Sequence, residues 1–200
     1  MKRLILLIIT CYGLLSGYAN TDTASDSLLQ VLQTLPHDTT RLSTLNDIIK
    51  IEQNNYKCIQ YSDSLMQEAL KLKNDKYASL AAYYHLLYYY NRSEQDSVAK
   101  WIVRMEPYVQ RSGLWDYFFD AQRFQIDLYT FTEQYELAIS EANKMKQKAL
   151  NTNSNRGTVA AYQCLSNAYI GSQRWDEGLK ALEEAYRLLP KKGNAVVHIS

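Results

Sequence analysis

The sequence predicts an all-α fold, a solenoid of helix-turn-helix units with a period near forty residues. Three observations carry that expectation. Glycine and proline are scarce, seven and three in 200 residues, and no glycine stands between Gly17 and Gly113, so a turn-rich β-sandwich or barrel is excluded. The apolar residues recur at helical rather than strand spacing. Units of similar pattern begin near Thr39, Leu80, Phe119 and Val159, in steps of 41, 39 and 40 residues. A fixed period of that size is the signature of a stacked repeat array, in which each unit buries its apolar face against its neighbours.

The first nineteen residues stand apart. Met1-Lys2-Arg3 is a short positive segment, the apolar run Leu4 to Leu15 follows it, and Gly17 and Ala19 place small residues at the −3 and −1 positions of a cut after Ala19. This is the pattern of a secretory signal peptide, and it predicts an exported, periplasmic protein. The apolar run is too short to span roughly 30 Å of hydrocarbon at about 1.5 Å per residue, which disfavours a retained membrane helix. Lipidation of Cys11 is the alternative anchor. It is disfavoured because Thr10 precedes the cysteine and apolar residues continue past it. Removing Lys2 and Arg3 leaves 20 cations against 21 anions, a balance with no basic excess to follow a phosphate backbone, so nucleic acid is not an expected partner. Cys58 and Cys164 then remain, without C-x-x-C or metal-ligand spacing, and both read as small buried side chains.

Residues 20–37 form a lead segment. Ser25-Asp26-Ser27 caps the run Leu28, Leu29, Val31, Leu32 and Leu35, which stops at Pro36. Four units follow, about 39–79, 80–118, 119–158 and 159–194. Helix-start signals fall at Asp38 before Thr39, Asp75 before Lys76, Ser93 with Asp96 and Thr132 before Glu133. The most regular unit runs from Val159 to Pro190. Tyr162, Leu165 and Tyr169 make the stripe of one helix, and Trp175, Gly178, Leu179, Leu182 and Ala185 that of the next. That order of aromatic, Leu, Tyr, then aromatic, small residue, Ala and Pro resembles the tetratricopeptide repeat (TPR), which implies a right-handed superhelix with a concave binding face.

Where the two helices of a unit cross, the pattern wants a small residue, and Cys58, Ala99, Ala138 and Gly178 occupy that position. A large side chain there would force the axes apart. The fourth stripe position of the first helices carries Ile49, Tyr90, Tyr129 and Tyr169, which assigns three of the 17 tyrosines to packing. Departures are equally plain. The first unit lacks the aromatics, the second has Asp96 where Tyr135 and Trp175 stand later, and the third sets Gln122 and Gln125 on its stripe, for which Ala121, Phe124 and Leu128 can substitute on a slightly rotated helix. After Pro190, residues 191–194 read as a turn and 195–200 as the start of a truncated further repeat, so a fragment of a longer protein is expected.

Catalytic patterns are sparse. Ser97-Val98-Ala99-Lys100 has the S-x-x-K spacing without its S-D-N and K-T-G companions, and reads as solvent-facing. His37, His85 and His198 have no ligand partner at helical spacing. The distinctive feature is aromatic: Tyr83-Tyr84 and Tyr88-Tyr89-Tyr90. Tyr83 and Tyr90 join the packing stripe, whereas Tyr84 and Tyr88, four apart, fall on the neighbouring face. In the TPR architecture that face lines the concave surface, and the matching positions are Ser43 and Asp47, Arg123 and Asp127, and Gln163 and Asn167. These eight residues are the expected binding face, suited to an extended peptide or protein segment, with Arg123 set to pair with a carboxylate. The alternative is that the tyrosines only pack between repeats. The set departs from the TPR clamp that grips a C-terminal carboxylate with Lys and Asn.

From Asp26 to Pro190 the chain looks like the exported TPR region of Bacteroidetes proteins, including the N-terminal part of membrane-bound sensor histidine kinases of two-component systems. Asp38-Thr39-Thr40-Arg41, Ser93-Glu94-Gln95-Asp96-Ser97, Arg156-Gly157 and Ala160-Ala161-Tyr162-Gln163 carry the resemblance. It implies a non-catalytic protein- or peptide-binding sensor with no cofactor and no metal. The kinases' membrane helix and phospho-accepting His are not in this sequence, so no catalytic residue carries over. Two rivals belong to other classes: a surface lipoprotein of nutrient (glycan) uptake, which needs Cys11 lipidated, and a hydrolase using Asp47 and Asp127 as acid and base, which lacks a nucleophile.

Overall fold

The computed structural model describes residues 25–52 and 55–189, and every regular element among them is an α-helix. Residues 1–19, read as a signal peptide, with Cys11 among them, and residues 190–200, read as the start of a further repeat, lie outside the described residues. Residues 25–34 are helical (α1), followed by α2 (Thr39–Glu52), α3 (Lys57–Lys71), α4 (Asp75–Tyr90), α5 (Gln95–Ser112), α6 (Trp115–Phe131), α7 (Tyr135–Asn151), α8 (Asn155–Gly171) and α9 (Trp175–Leu188). None of the described helices is long and apolar enough to cross a membrane. The chain divides into two compact units at Tyr88 and Tyr89.

The links between helices explain the missing glycines. Lys73, Ser93, Gly113, Glu133, Asn153 and Gln173 all adopt positive φ. Five of the six carry a side chain in a conformation that costs an L-residue roughly 1–2 kcal/mol. The cost is offset by hydrogen bonds. Just after the left-handed residue, the amides of Asn74, Glu94, Gln134, Ser154 and Arg174 donate to the carbonyls of Ala69, Tyr89, Tyr129, Ala149 and Tyr169, and the left-handed residues themselves donate to carbonyls three back. This is the Schellman arrangement, usually built on glycine, satisfying carbonyls that a helix end leaves open. At Gly113 a single bond to the Val109 carbonyl replaces the pair.

The helix-start signals are partly relocated. Asp38 Oδ1 does accept the Thr40 amide, at 2.8 Å. For α4 the acceptor is Asn74, one residue ahead of Asp75. Ser93 and Thr132 belong to links instead: Ser93 is the left-handed residue, and the Thr132 hydroxyl donates back to the Leu128 carbonyl at 2.8 Å.

In the first unit, α2 packs on α3, and Leu42, Leu45, Ile48, Ile49 and Leu65 are closed off from solvent. The Tyr83/Tyr84 assignment reverses. Tyr84 is 6% exposed and its hydroxyl donates to Asn46 Oδ1 at 3.0 Å, while Tyr83 is half-buried beside it with rings 6.1 Å apart. Glu68 sits at a junction of charge. Its carboxylate takes His37 Nδ1 at 2.9 Å, with Arg41 Nε at 3.9 Å and Lys71 Nζ at 3.7 Å. Burial pushes the Glu68 carboxyl up, but the His37 hydrogen bond and the charges of His37, Lys71 and Arg41 outweigh it and hold the group below its usual range.

In the second unit, α5 packs on α6, α6 on α7, α7 on α8 and α8 on α9, and α6 also lies directly against α8. Contact between α6 and α8 is close because Gly157 has no side chain: a Cβ there would come within 2.5 Å of the Phe119 ring. Gly171 likewise admits the Tyr135 ring, and Gly178 admits Ile170. The crossing position is corrected by one residue in α5. Val98 is fully buried and Ala99 only half-buried, since α5 begins at Gln95 and its fourth residue takes the place that Ala138 and Gly178 take in α7 and α9. Of the residues read onto the α6 stripe, Ala121 and Leu128 are buried, with Phe118, Phe119 and Ile126 beside them, whereas Gln122, Phe124 and Gln125 are half-buried. In α9 the small residues Gly178, Ala181 and Ala185 are buried, whereas Trp175, Leu179 and Leu182, expected on the same stripe, are 62%, 57% and 48% exposed. On this helix the small residues set the packed face and the large ones point out.

Candidate functional site

The eight expected binding residues fall four to each compact unit. On α2, Ser43 is half-buried and Asp47 is exposed, its Oδ1 taking Lys50 Nζ at 2.9 Å. On α4, Tyr88 is half-buried, but Tyr84 is an interior residue engaged with Asn46. A ring closed off in this way has no face to offer a ligand, so the aromatic anchor expected at Tyr84 is a structural one.

In the second unit Arg123 and Gln163 line one groove. Arg123 and Asp127 are one turn apart on α6, and Gln163 and Asn167 hold the same spacing on α8, exposed. α6 and α8 lie directly against each other. Arg123 Nη1 lies 3.5 Å from Asp127 Oδ2, and its guanidinium lies 4.7 Å from the Phe124 ring centroid. Phe124 in turn meets Tyr90, with ring centroids 4.5 Å apart. This aromatic support holds the guanidinium in place, as its flat cation favours. Burial pushes the Asp127 carboxyl up, more than the Arg123 charge draws it down. Arg123 thus keeps part of its guanidinium at the surface, beside a carboxyl whose charged form burial disfavours.

A groove of about 380 Å³ opens beside this pair, lined by Asp120, Arg123, Asn155, Arg156 and Gln163 together with Leu189. Arg156 Nη2 binds Asp120 Oδ2 at 2.8 Å. Asp120 and Arg156 were not expected in the site. The legible signal was Asp120 one turn before Arg123, with Arg156 one unit further along the chain.

Cys164, behind Asp127, is a buried thiol pushed up to about 12, first by burial and then by the Asp127 charge, so it is fully protonated near neutral pH. Cys58 is likewise buried, 4.0 Å from the Ser62 hydroxyl. His85 is enclosed in the first unit with Nε2 3.1 Å from Asp63 Oδ1. Ser97 bonds Glu94 at 3.1 Å and Lys100 is exposed. No family model, curated protein or solved structure matches this chain.

Proposed function

We propose that the chain is a non-catalytic scaffold of TPR-like hairpins that binds a protein or peptide, exported to the periplasm, and that it serves as the sensory module of a two-component signalling protein. The observation that carries the binding reading is the groove that Arg123 of α6 and Gln163 of α8 line together, with Asp127 and Asn167 one turn further along each helix. Carboxamides and a guanidinium at regular intervals match the alternating donors and acceptors of an extended peptide, with Arg123 placed for an acidic side chain or a chain end.

The repeat reading is supported by register. Second helices begin at Gln95, Tyr135 and Trp175, and first helices at Asp75, Trp115 and Asn155, forty residues on at each step. Each first helix starts about a turn ahead of the unit boundaries expected at Leu80, Phe119 and Val159. Export rests on the pattern of residues 1–19 alone, and the signalling role on the resemblance.

The test is a pull-down and calorimetric titration against a library of acidic peptides with the full chain and with the triple substitution Arg123→Ala, Gln163→Ala, Asn167→Ala. All three side chains reach the surface, so helicity is expected to stay unchanged while peptide affinity falls by tenfold or more. Equal affinity in the variant moves the site off this face.

A further inference from the structure

A second groove, of about 800 Å³, lies between α5 and α7 and ends at Trp115. Its long wall is a polar stripe on α7: Ser140, Asn143, Lys144, Gln147, Lys148 and Asn151 recur at helical spacing, while Ala138, Ile139, Ala142, Met145 and Ala149 of the same helix are buried. Glu106 and Gln110, four apart on α5, supply the facing wall. Stripes of this kind usually serve only as a solvated face. Here three properties set this one apart and select a ligand class.

The first property is charge cancellation. Lys144 Nζ is held by Glu141 at 2.7 Å, and Lys148 is paired with Glu106 and sits 4.9 Å from the Phe118 ring centroid. The lining therefore has little pull on an anion, and Glu106 works against a phosphate or an acidic peptide. The second is hydrogen-bonding capacity of both signs. The side chains of Ser140, Gln110, Gln147 and Asn151 make no hydrogen bond to another described residue, and Asn143 gives its amide N–H to the Ile139 carbonyl, which leaves its oxygen to accept. The third is a fixed aromatic surface. Trp115 is half-buried, packed at 5.8 Å edge-on to Phe118 and at 6.1 Å along Phe119, so its remaining surface meets the groove in a set orientation.

We propose that this groove binds a neutral oligosaccharide. A pyranose ring presents an apolar C–H face to an indole and a rim of hydroxyls, each both donor and acceptor, to carboxamides. The α7 stripe from Ser140 to Asn151 extends about 16 Å at about 1.5 Å per residue, room for an oligomer rather than one ring. A peptide would need pockets for its side chains, and apart from Trp115 the lining has no large apolar side chain to form one. The site uses none of the residues of the α6–α8 face, so its fate is independent of the function proposed above.

The experiment applies the full chain to an array of neutral hexasaccharides built from glucose, xylose, mannose or galactose, with acidic oligosaccharides and a peptide library as parallel arms, followed by calorimetry. Saturable binding to at least one neutral glycan is expected. The double substitution Gln110→Ala, Gln147→Ala, confined to exposed side chains, should weaken it by roughly tenfold. Trp115→Phe should weaken it too while keeping an aromatic ring against Phe118 and Phe119, and circular dichroism should match the parent for both variants. The triple substitution on the α6–α8 face should leave it unchanged. No retained neutral glycan, an unchanged affinity in the Gln110/Gln147 variant, or capture in this groove of only acidic glycans or peptides overturns the proposal.

Discussion

The two compact units are closed by different chemistry. The interior of the first contains Asn46, Glu52, Ser62, Glu68, Ser79 and His85, each under a tenth exposed, among its leucines and isoleucines. The second is closed by Phe118, Phe119, Ile126, Met105 and Met145 with a series of alanines, and among its described residues the buried polar ones are Thr158 and Ser166. Thr158 is satisfied within its own helix, by the Ser154 carbonyl at 2.9 Å. In the first unit polar contacts also join helices: the Tyr84 hydroxyl of α4 bonds Asn46 of α2, and His85 Nε2 of α4 lies 3.1 Å from Asp63 Oδ1 of α3. A dry interior tolerates shifts in position as long as volume is filled. One held by directional bonds between helices loses stability with any partner removed. The lesson is that one helix-link design, at Lys73 in the first unit and at Ser93, Glu133, Asn153 and Gln173 in the second, is compatible with either kind of core.

The largest expected effect tests the dry core. Phe119 is 1% exposed and fills the space that Gly157 leaves open. Phe119→Ala should destabilise the second unit by about 3–5 kcal/mol through lost burial and a residual cavity. Hydrogen exchange read separately for residues 25–88 and 89–189 measures it. Protection lost in the second unit alone supports two separately closed cores, and equal loss in both breaks the comparison.

A smaller effect probes the polar core. Tyr84→Phe keeps the ring and removes the hydroxyl, so Asn46 Oδ1, on a residue only 8% exposed, loses its donor. The expected cost is about 1–3 kcal/mol, seen as a lower denaturation midpoint and as exchange in α2 and α4. A neutral result would show that the first unit is held by its leucines and isoleucines alone, like the second by its aromatics.

These residues also mark how far the sequence could be read. Helical class followed from composition and spacing, and the buried thiols from the isolation of Cys58 and Cys164. Faces were harder. The five tyrosines of α4 leave no clean stripe, and which of Tyr83 and Tyr84 points inward depends on Asn46, 38 residues earlier, offering a bond. In α9 large apolar side chains and small ones both recur at helical spacing, and close approach to α8 selects the small ones. Arg123, Asp127, Gln163 and Asn167 were read from repeat register, and their spacing of four keeps each pair on one side of its own helix. The Trp115 groove was not, since a polar stripe on a helix looks like ordinary solvation until a second wall is found.

The smallest expected effect lies in what the two units share. Lys73 in the first and Glu133 in the second both hold positive φ at an exposed link. Glycine relieves the strain of the left-handed conformation but gives the unfolded chain more freedom, worth about 0.4–1 kcal/mol in the other direction. A net gain of about 0.5–1 kcal/mol is expected from either Lys73→Gly or Glu133→Gly, a rise of a few degrees in Tm. Equal gains would show that the link contributes the same strain whatever core it serves. A gain at Glu133 without one at Lys73 would mean that the first unit's polar interior sets its own helix geometry and absorbs the strain there, so that the units differ in their links as well as in their cores.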